Sequence, residues 1–116
     1  VSISWSFEEP RGVAVMRVAG YLGSNAVDRF SEGFGWVAAR STGTVLLEVS
    51  ELLGWSAEGE AAVLQAAAAL KERERSLAVC GPGHLEATRL WTDQVHSMTV
   101  YADLDAALSA EAPSSG

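Results

Sequence analysis

Residues 44–49, Thr44-Val-Leu-Leu-Glu-Val49, are apolar toward both faces of an extended chain, with Glu48 the one exception. A strand of that kind must be covered on two sides. It therefore reads as a central strand of a largely parallel sheet with helices packed against it. The sequence then turns and reaches Trp55-Ser-Ala-Glu-Gly-Glu60, a helix start whose first residues are small or acidic. Ser56 is placed to cap a helix from about Ala57 to Arg73, along which Val63, Ala67 and Leu70 form an apolar stripe that Leu64 and Ala68 widen. In an α/β protein such a junction is where ligands and partners meet the fold. The loop after a strand and the unpaired N–H groups of the next helix lie together at one edge.

The flanking segments fit the same architecture. Val1, Ile3, Trp5 and Phe7 alternate with three serines, the period of a strand with one wet face. Glu8-Glu-Pro-Arg-Gly12 reads as a turn, and Val13 to Ala19 as a second strand, so the two form a hairpin. Ser24 or Asn25 is expected to cap a helix carrying Val27, Phe30, Phe34 and Val37 on one face, weakened by Gly33 and Gly35. Ser76 to Cys80 predicts a further strand, His84 to about Thr92 a short helix, and Ser97 to Tyr101 a last strand. Asp103 caps a closing helix with Leu104, Ala107 and Leu108 inward. The expected order is β-β-α-β-α-β-α-β-α: one α/β domain over residues 1–111, a mixed sheet of four to five strands and about four helices mainly on one face. Residues 112–116 read as a frayed tail.

Composition removes several classes of function. The chain has 116 residues, with 15 acidic and 8 basic, a formal net charge of −7. Nucleic-acid binding draws most of its affinity from neutralised phosphates, so an acidic chain without a basic cluster is unsuited to it. A basic protein partner is electrostatically easier. No apolar run approaches membrane-spanning length, and Val1-Ser-Ile-Ser4 lacks the pattern of a signal peptide. A single cysteine, Cys80, in an apolar run suits a reducing cytoplasm. His84 and His96 have no carboxylate or thiol at ligand spacing, so no metal and no cofactor is expected. Glu58 and Glu60, two apart on a helix, point in different directions and make a poor acid–base dyad. No nucleophile elbow or phosphate-binding loop is present, and no enzyme is expected.

The chain resembles the STAS domain family, typified by bacterial anti-sigma factor antagonists. Val15-Met-Arg-Val-Ala-Gly-Tyr-Leu22 is similar to the family's second strand ending in Gly-x-Leu. Val45 to Gly59 is similar to its apolar strand, acid, Leu-Ser-x-Leu and Asp-Ser-Ser-Gly helix start. Leu77-Ala-Val-Cys-Gly81 with Leu85-Glu-Ala-Thr-Arg-Leu90 looks like the fourth strand and its helix, and Asp103-Leu-Asp-Ala-Ala-Leu108 like the closing helix. The resemblance covers nearly the whole chain.

It implies a regulatory protein-binding module. Its partner would be an anti-sigma factor that is also a serine kinase of the histidine-kinase-like ATPase fold. In the family that kinase phosphorylates the second serine of Asp-Ser-Ser-Gly and so ends binding. Here the tetrad reads Ser56-Ala57-Glu58-Gly59, so the acceptor position is Glu58, which cannot be phosphorylated. Ser56 carries the one hydroxyl in the tetrad and is the remaining candidate phosphoacceptor, but its capping role competes with modification. Glu58 carries one charge where phosphoserine carries about −1.5 to −2, so it is an imperfect phosphate mimic as well as a helix-start acid. The expected contact surface is Trp55, Ser56, Ala57, Glu58, Gly59 and Glu60, with Trp55 either the anchor or packed beneath the helix. The alternative is a ligand- or nucleotide-sensing or transport-accessory module of the same family.

Overall fold

A computed structural model describes residues 2–85 and 98–112. Strand β1 (Ile3–Glu8) and strand β2 (Ala14–Leu22) form the expected antiparallel hairpin, with Trp5 opposite Val18 and Phe7 opposite Met16. Helix α1 spans Val27–Ala39, β3 Val45–Glu48, β4 Leu52–Trp55 and α2 Ala57–Lys71. The described chain closes with β5 (Leu77–Cys80), β6 (Thr99–Tyr101) and α3 (Leu104–Glu111).

The sheet runs β1-β2-β3-β5-β6, parallel from β2 onward, with β4 also paired to β2. It therefore holds six strands, against the four to five expected, and three α-helices lie among the described residues. The added strand is β4. Leu52-Leu-Gly-Trp55 is short and interrupted by Gly54, so its own pattern reads as a turn; its strand character comes from β2. That nine-residue strand forks. Ala14–Arg17 pairs with Val45–Glu48, and Gly20–Leu22 pairs with Leu52–Trp55 across a register shift between Gly20 and Tyr21 that leaves Leu53 as the extra residue of β4. Gly20 sits at the fork with φ +100, and a Cβ there would lie 2.6 Å from the Ser2 carbonyl oxygen, so only glycine turns this corner without strain. The short helix expected from His84 to about Thr92 lies largely outside the described residues, as does most of the 112–116 tail.

Both faces of the sheet are covered, as the apolar run at 44–49 requires. Leu46 and Leu47 point to opposite sides and both are fully buried. On one side Met16, Val18, Val45, Leu47 and Val79 pack with Phe30, Phe34, Val37, Val63 and Leu70 of α1 and α2. On the other, Val13, Val15, Leu46, Ala78 and Cys80 pack with Ala107 and Leu108 of α3. Burying each of the Val, Leu, Met and Phe side chains among these stabilises by roughly 1.5–3 kcal/mol. Asp103 caps α3 as expected, its Oδ1 accepting from the Ala106 N–H at 2.8 Å. At α1 the expected Ser24 or Asn25 cap is replaced by a 3-10 turn over Ser24–Ala26, and Ala26 takes the cap position without a side-chain bond. Arg75, following α2, ties the far end of α1 down. Its Nε donates to the Gly43 carbonyl at 2.9 Å, one terminal nitrogen to the Ala38 carbonyl at 2.8 Å and the other to Ser41 Oγ at 2.9 Å.

Candidate functional site

The corner between β4 and α2 is built by β2. Trp55 is the last residue of β4 and pairs with Leu22. The next N–H, that of Ser56, donates to the Leu22 carbonyl at 3.0 Å and holds the helix start against the sheet. Ser56 Oγ accepts from the Gly59 N–H at 3.2 Å, and the Ser56 carbonyl accepts from the Glu60 N–H at 2.9 Å. That is an N-cap of the kind the sequence predicts, and it commits the Ser56 hydroxyl to the helix.

The six residues expected to form the contact surface divide into two groups. Ala57 and Glu58 are exposed and Ser56 is half-buried, whereas Trp55, Gly59 and Glu60 are buried. Trp55 belongs to the main core and packs beneath the helix. Glu58 stands in the first turn of α2. Its own backbone N–H, and secondarily the Ser56 hydroxyl, hold its carboxyl below the usual carboxylate range. Its charge is thus stabilised by the donors that any anion at this helix end would use.

Two neighbours that sequence reasoning passed over complete the corner. Leu53 is 79% exposed and Tyr21 44% exposed, both large apolar groups facing water. Tyr21 pairs with Gly54, so its ring lies over a position without a side chain. With Trp55, His84 and Leu85 they line a concavity of about 300 Å³. His84 Nε2 lies 2.6 Å from the Leu52 carbonyl, which can only accept, so this nitrogen carries the proton. The sequence carried no signal for Leu53, because in this sheet adjacent leucines can both be buried, as Leu46 and Leu47 are; its exposure follows from its place as the extra residue where β4 shifts register against β2.

A second concavity, about 500 Å³, opens at the carboxyl ends of the parallel strands beside α3. Arg17, Glu48, Ser50, His84, Asp103 and Asp105 contribute to its lining. Glu48 is buried, and its Oε1 accepts from the Ser50 N–H at 3.1 Å and from Ser50 Oγ at 2.7 Å. Arg17 lies 3.9 Å from that oxygen but bonds Glu8 at 2.8 Å. Among the described residues no group of three or more His, Cys, Asp or Glu is placed to hold a metal ion. No helix there is long and apolar enough to cross a membrane.

No protein-family model matches the chain, and no curated protein sequence matches it. Solved structures do. An anti-sigma factor antagonist from Mycobacterium paratuberculosis superposes with a TM-score of 0.71 at 22% identity, covering 94% of this chain and 93% of that one. A Thermotoga maritima protein described as a candidate anti-sigma factor antagonist gives 0.75 at 10% identity, over 92% and 93% of the two chains. The anti-sigma factor antagonist SpoIIAA in its unphosphorylated form gives 0.64 at 13% identity, over 88% and 91%. The chain has the SpoIIAA-like fold over nearly its whole length.

Proposed function

We propose that this chain is a cytoplasmic regulatory module of the anti-sigma factor antagonist kind, with residues 1–111 as its working unit. It acts by binding an anti-sigma factor that is also a serine kinase of the histidine-kinase-like ATPase fold. One observation carries the reading: two large side chains, Leu53 and Tyr21, are exposed beside the start of α2, where by the resemblance Glu58 takes the position of the family's phosphorylated serine. Large apolar groups exposed to water beside a charged helix end are what a protein interface buries at its centre. Ser56, Ala57 and Glu58 supply the rim, and Trp55, Gly59 and Glu60 support it from below. Position 58 lacks a hydroxyl, so binding is not switched by phosphate there.

The nucleotide-sensing alternative finds less support. The larger concavity presents the carboxylates of Glu48, Asp103 and Asp105 against one guanidinium, Arg17, already paired to Glu8. A nucleotide's phosphates would meet net negative charge there.

Calorimetric titration with such a kinase tests the proposal. Leu53→Asp is expected to weaken binding at least about tenfold, the scale of one buried apolar anchor. Glu58→Ser is expected to tighten it, because an unpaired carboxylate is costly to desolvate at an interface. Incubation with the kinase and ATP should add no phosphate to the natural chain and one to the Glu58→Ser variant, read by intact mass. Binding unchanged by Leu53→Asp would refute the surface; equal affinities of the natural and Glu58→Ser chains would remove Glu58 from the function.

A further inference from the structure

Strand β1 has β2 on one side and, among the described residues, no strand on the other. Natural sheets protect such an edge with lysine, proline, a bulge or brevity. The opposite terminal strand, β6, is only three residues long. β1 has none of these devices. It is six residues long, contains neither Lys nor Pro, and keeps one unbroken register with β2 from Ile3 to Glu8. Beside the free edge lies an aromatic group. Trp5 and Phe7 are half-buried, and Trp36 of α1 is 41% exposed, with ring centroids 5.8 Å from Trp5 and 5.6 Å from Phe7.

We infer that β1 is the dimerisation edge of this protein, pairing antiparallel with β1 of a second copy about a two-fold axis at Ser6. Three observations select a second copy. The first is position: Arg29 Nε already donates to the Ile3 carbonyl at 2.8 Å, which leaves Ser4 to Glu8 as the available stretch, and its midpoint is Ser6. The second is self-complementarity. Centring on Ser6 sets Trp5 opposite Phe7 of the other copy on the helix side, and Ser6 opposite Ser6 and Ser4 opposite Glu8 on the open side. Aromatic meets aromatic, hydroxyls meet hydroxyls or a carboxylate, and no like charges face each other. The third is charge. The chain carries −7 overall, but the one charged side chain within β1, Glu8, is paired with Arg17 at 2.8 Å, so the strand itself offers no unpaired carboxylate to recruit a basic partner. A neutral strand fits a neutral strand. β1 and β4 flank β2 on opposite sides, so this surface is separate from the β4–α2 corner and stands or falls independently of the proposed function.

Sedimentation velocity on the full chain over a concentration series tests the association, and cysteine cross-linking tests the register. The natural chain is expected to show a reversible dimer of twice 12.2 kDa. Ser6→Cys should cross-link on mild oxidation, because directly opposed Cα atoms sit about 4.5–5.5 Å apart, within disulfide range. Ser4→Cys should not, since its counterpart lies roughly 13 Å along the paired strand. Cys80 is buried and does not interfere. Ser6→Lys should give a folded monomer, verified by circular dichroism, and mixing it with Ser6→Glu should restore a dimer. A monomer at every concentration, a dimer indifferent to Ser6→Lys, or equal cross-linking at positions 4 and 6 would overturn the inference. So would a natural chain that stays monomeric while binding a foreign strand peptide at β1.

Discussion

Three glycines in the helices offer a test in which one substitution gives opposite signs. Helix propensity alone says that Gly→Ala stabilises a helix interior by about 1 kcal/mol wherever it is made. At Gly59 the structure says otherwise. A Cβ there would lie 2.0 Å from the Leu22 carbonyl oxygen and 2.9 Å from Leu22 Cγ. Relief requires the start of α2 to move off β2 by roughly 1 Å, because close-packed backbone does not compress. That movement stretches the bond from the Ser56 N–H to the Leu22 carbonyl, now 3.0 Å, out of range. Overpacking costs about 1–3 kcal/mol and a buried carbonyl left without its donor about 1–3 more, against the propensity gain of about 1. Gly59→Ala should therefore destabilise by about 1–5 kcal/mol. Gly35 is the control: it is exposed, nothing lies within 4 Å of its Cβ position, and Gly35→Ala should stabilise by about 0.5–1 kcal/mol. Gly33 is intermediate. Its Cβ would meet the Trp5 indole at 2.6 Å, but that side chain is half-exposed and can swing, so the expected loss is about 1–2 kcal/mol. Urea unfolding followed by tryptophan fluorescence and circular dichroism measures all three. If Gly59→Ala proves as stabilising as Gly35→Ala, the close approach of α2 to β2 is wrong, and with it the geometry of the corner.

Arg75→Ala should cost about 1–3 kcal/mol, since it releases three acceptors at the end of α1 and in the following loop; Arg75→Lys should recover little, because one ammonium cannot span all three, and urea titration measures both. Ser56→Ala should cost about 1 kcal/mol as a lost cap and, in an NMR titration, raise the Glu58 midpoint back toward the usual carboxylate range. Burial, with Glu48 nearby, pushes the Cys80 thiol up to about 12, so it should stay inert to thiol reagents until the chain unfolds. The folded value exceeds the ordinary 9.0, so this group's contribution to stability is complete below pH 9 and is lost as the pH rises toward 12, which unfolding curves of the natural chain and a Cys80→Ala variant should separate.

What could be read from the sequence follows from how local each cause is. The hairpin, the central strands and the caps at Ser56 and Asp103 are written in patterns a few residues long: alternation at Ile3, Trp5 and Phe7, two-sided apolarity at Val45–Leu47, a hydroxyl or carboxylate just before a helix. β4 was not legible because its pairing is set thirty residues away, where β2 shifts register at Gly20. Glu60 reads as a surface acid by type, yet it is buried because it falls on the inner face of α2 beside Gly59. Leu53 was invisible for the opposite reason. Two adjacent leucines look equally apolar, and only the strand's orientation turns Leu52 inward and Leu53 out.

The alternation at the β4–α2 corner has a consequence for divergence. Each outward side chain there has a buried neighbour in the chain: Tyr21 beside Leu22, Leu53 beside Leu52, Glu58 beside Gly59. Scaffold and contact residues are interleaved one by one on the same backbone. Tyr21, Leu53, Ala57 and Glu58 can all be exchanged without disturbing a packed side chain or a ladder bond. A set of duplicated modules could thus be insulated from one another by repulsive charges or altered bulk at these four positions alone. Under the proposed function, selection for partner choice and selection for folding would act here on different residues, although those residues are adjacent in the chain.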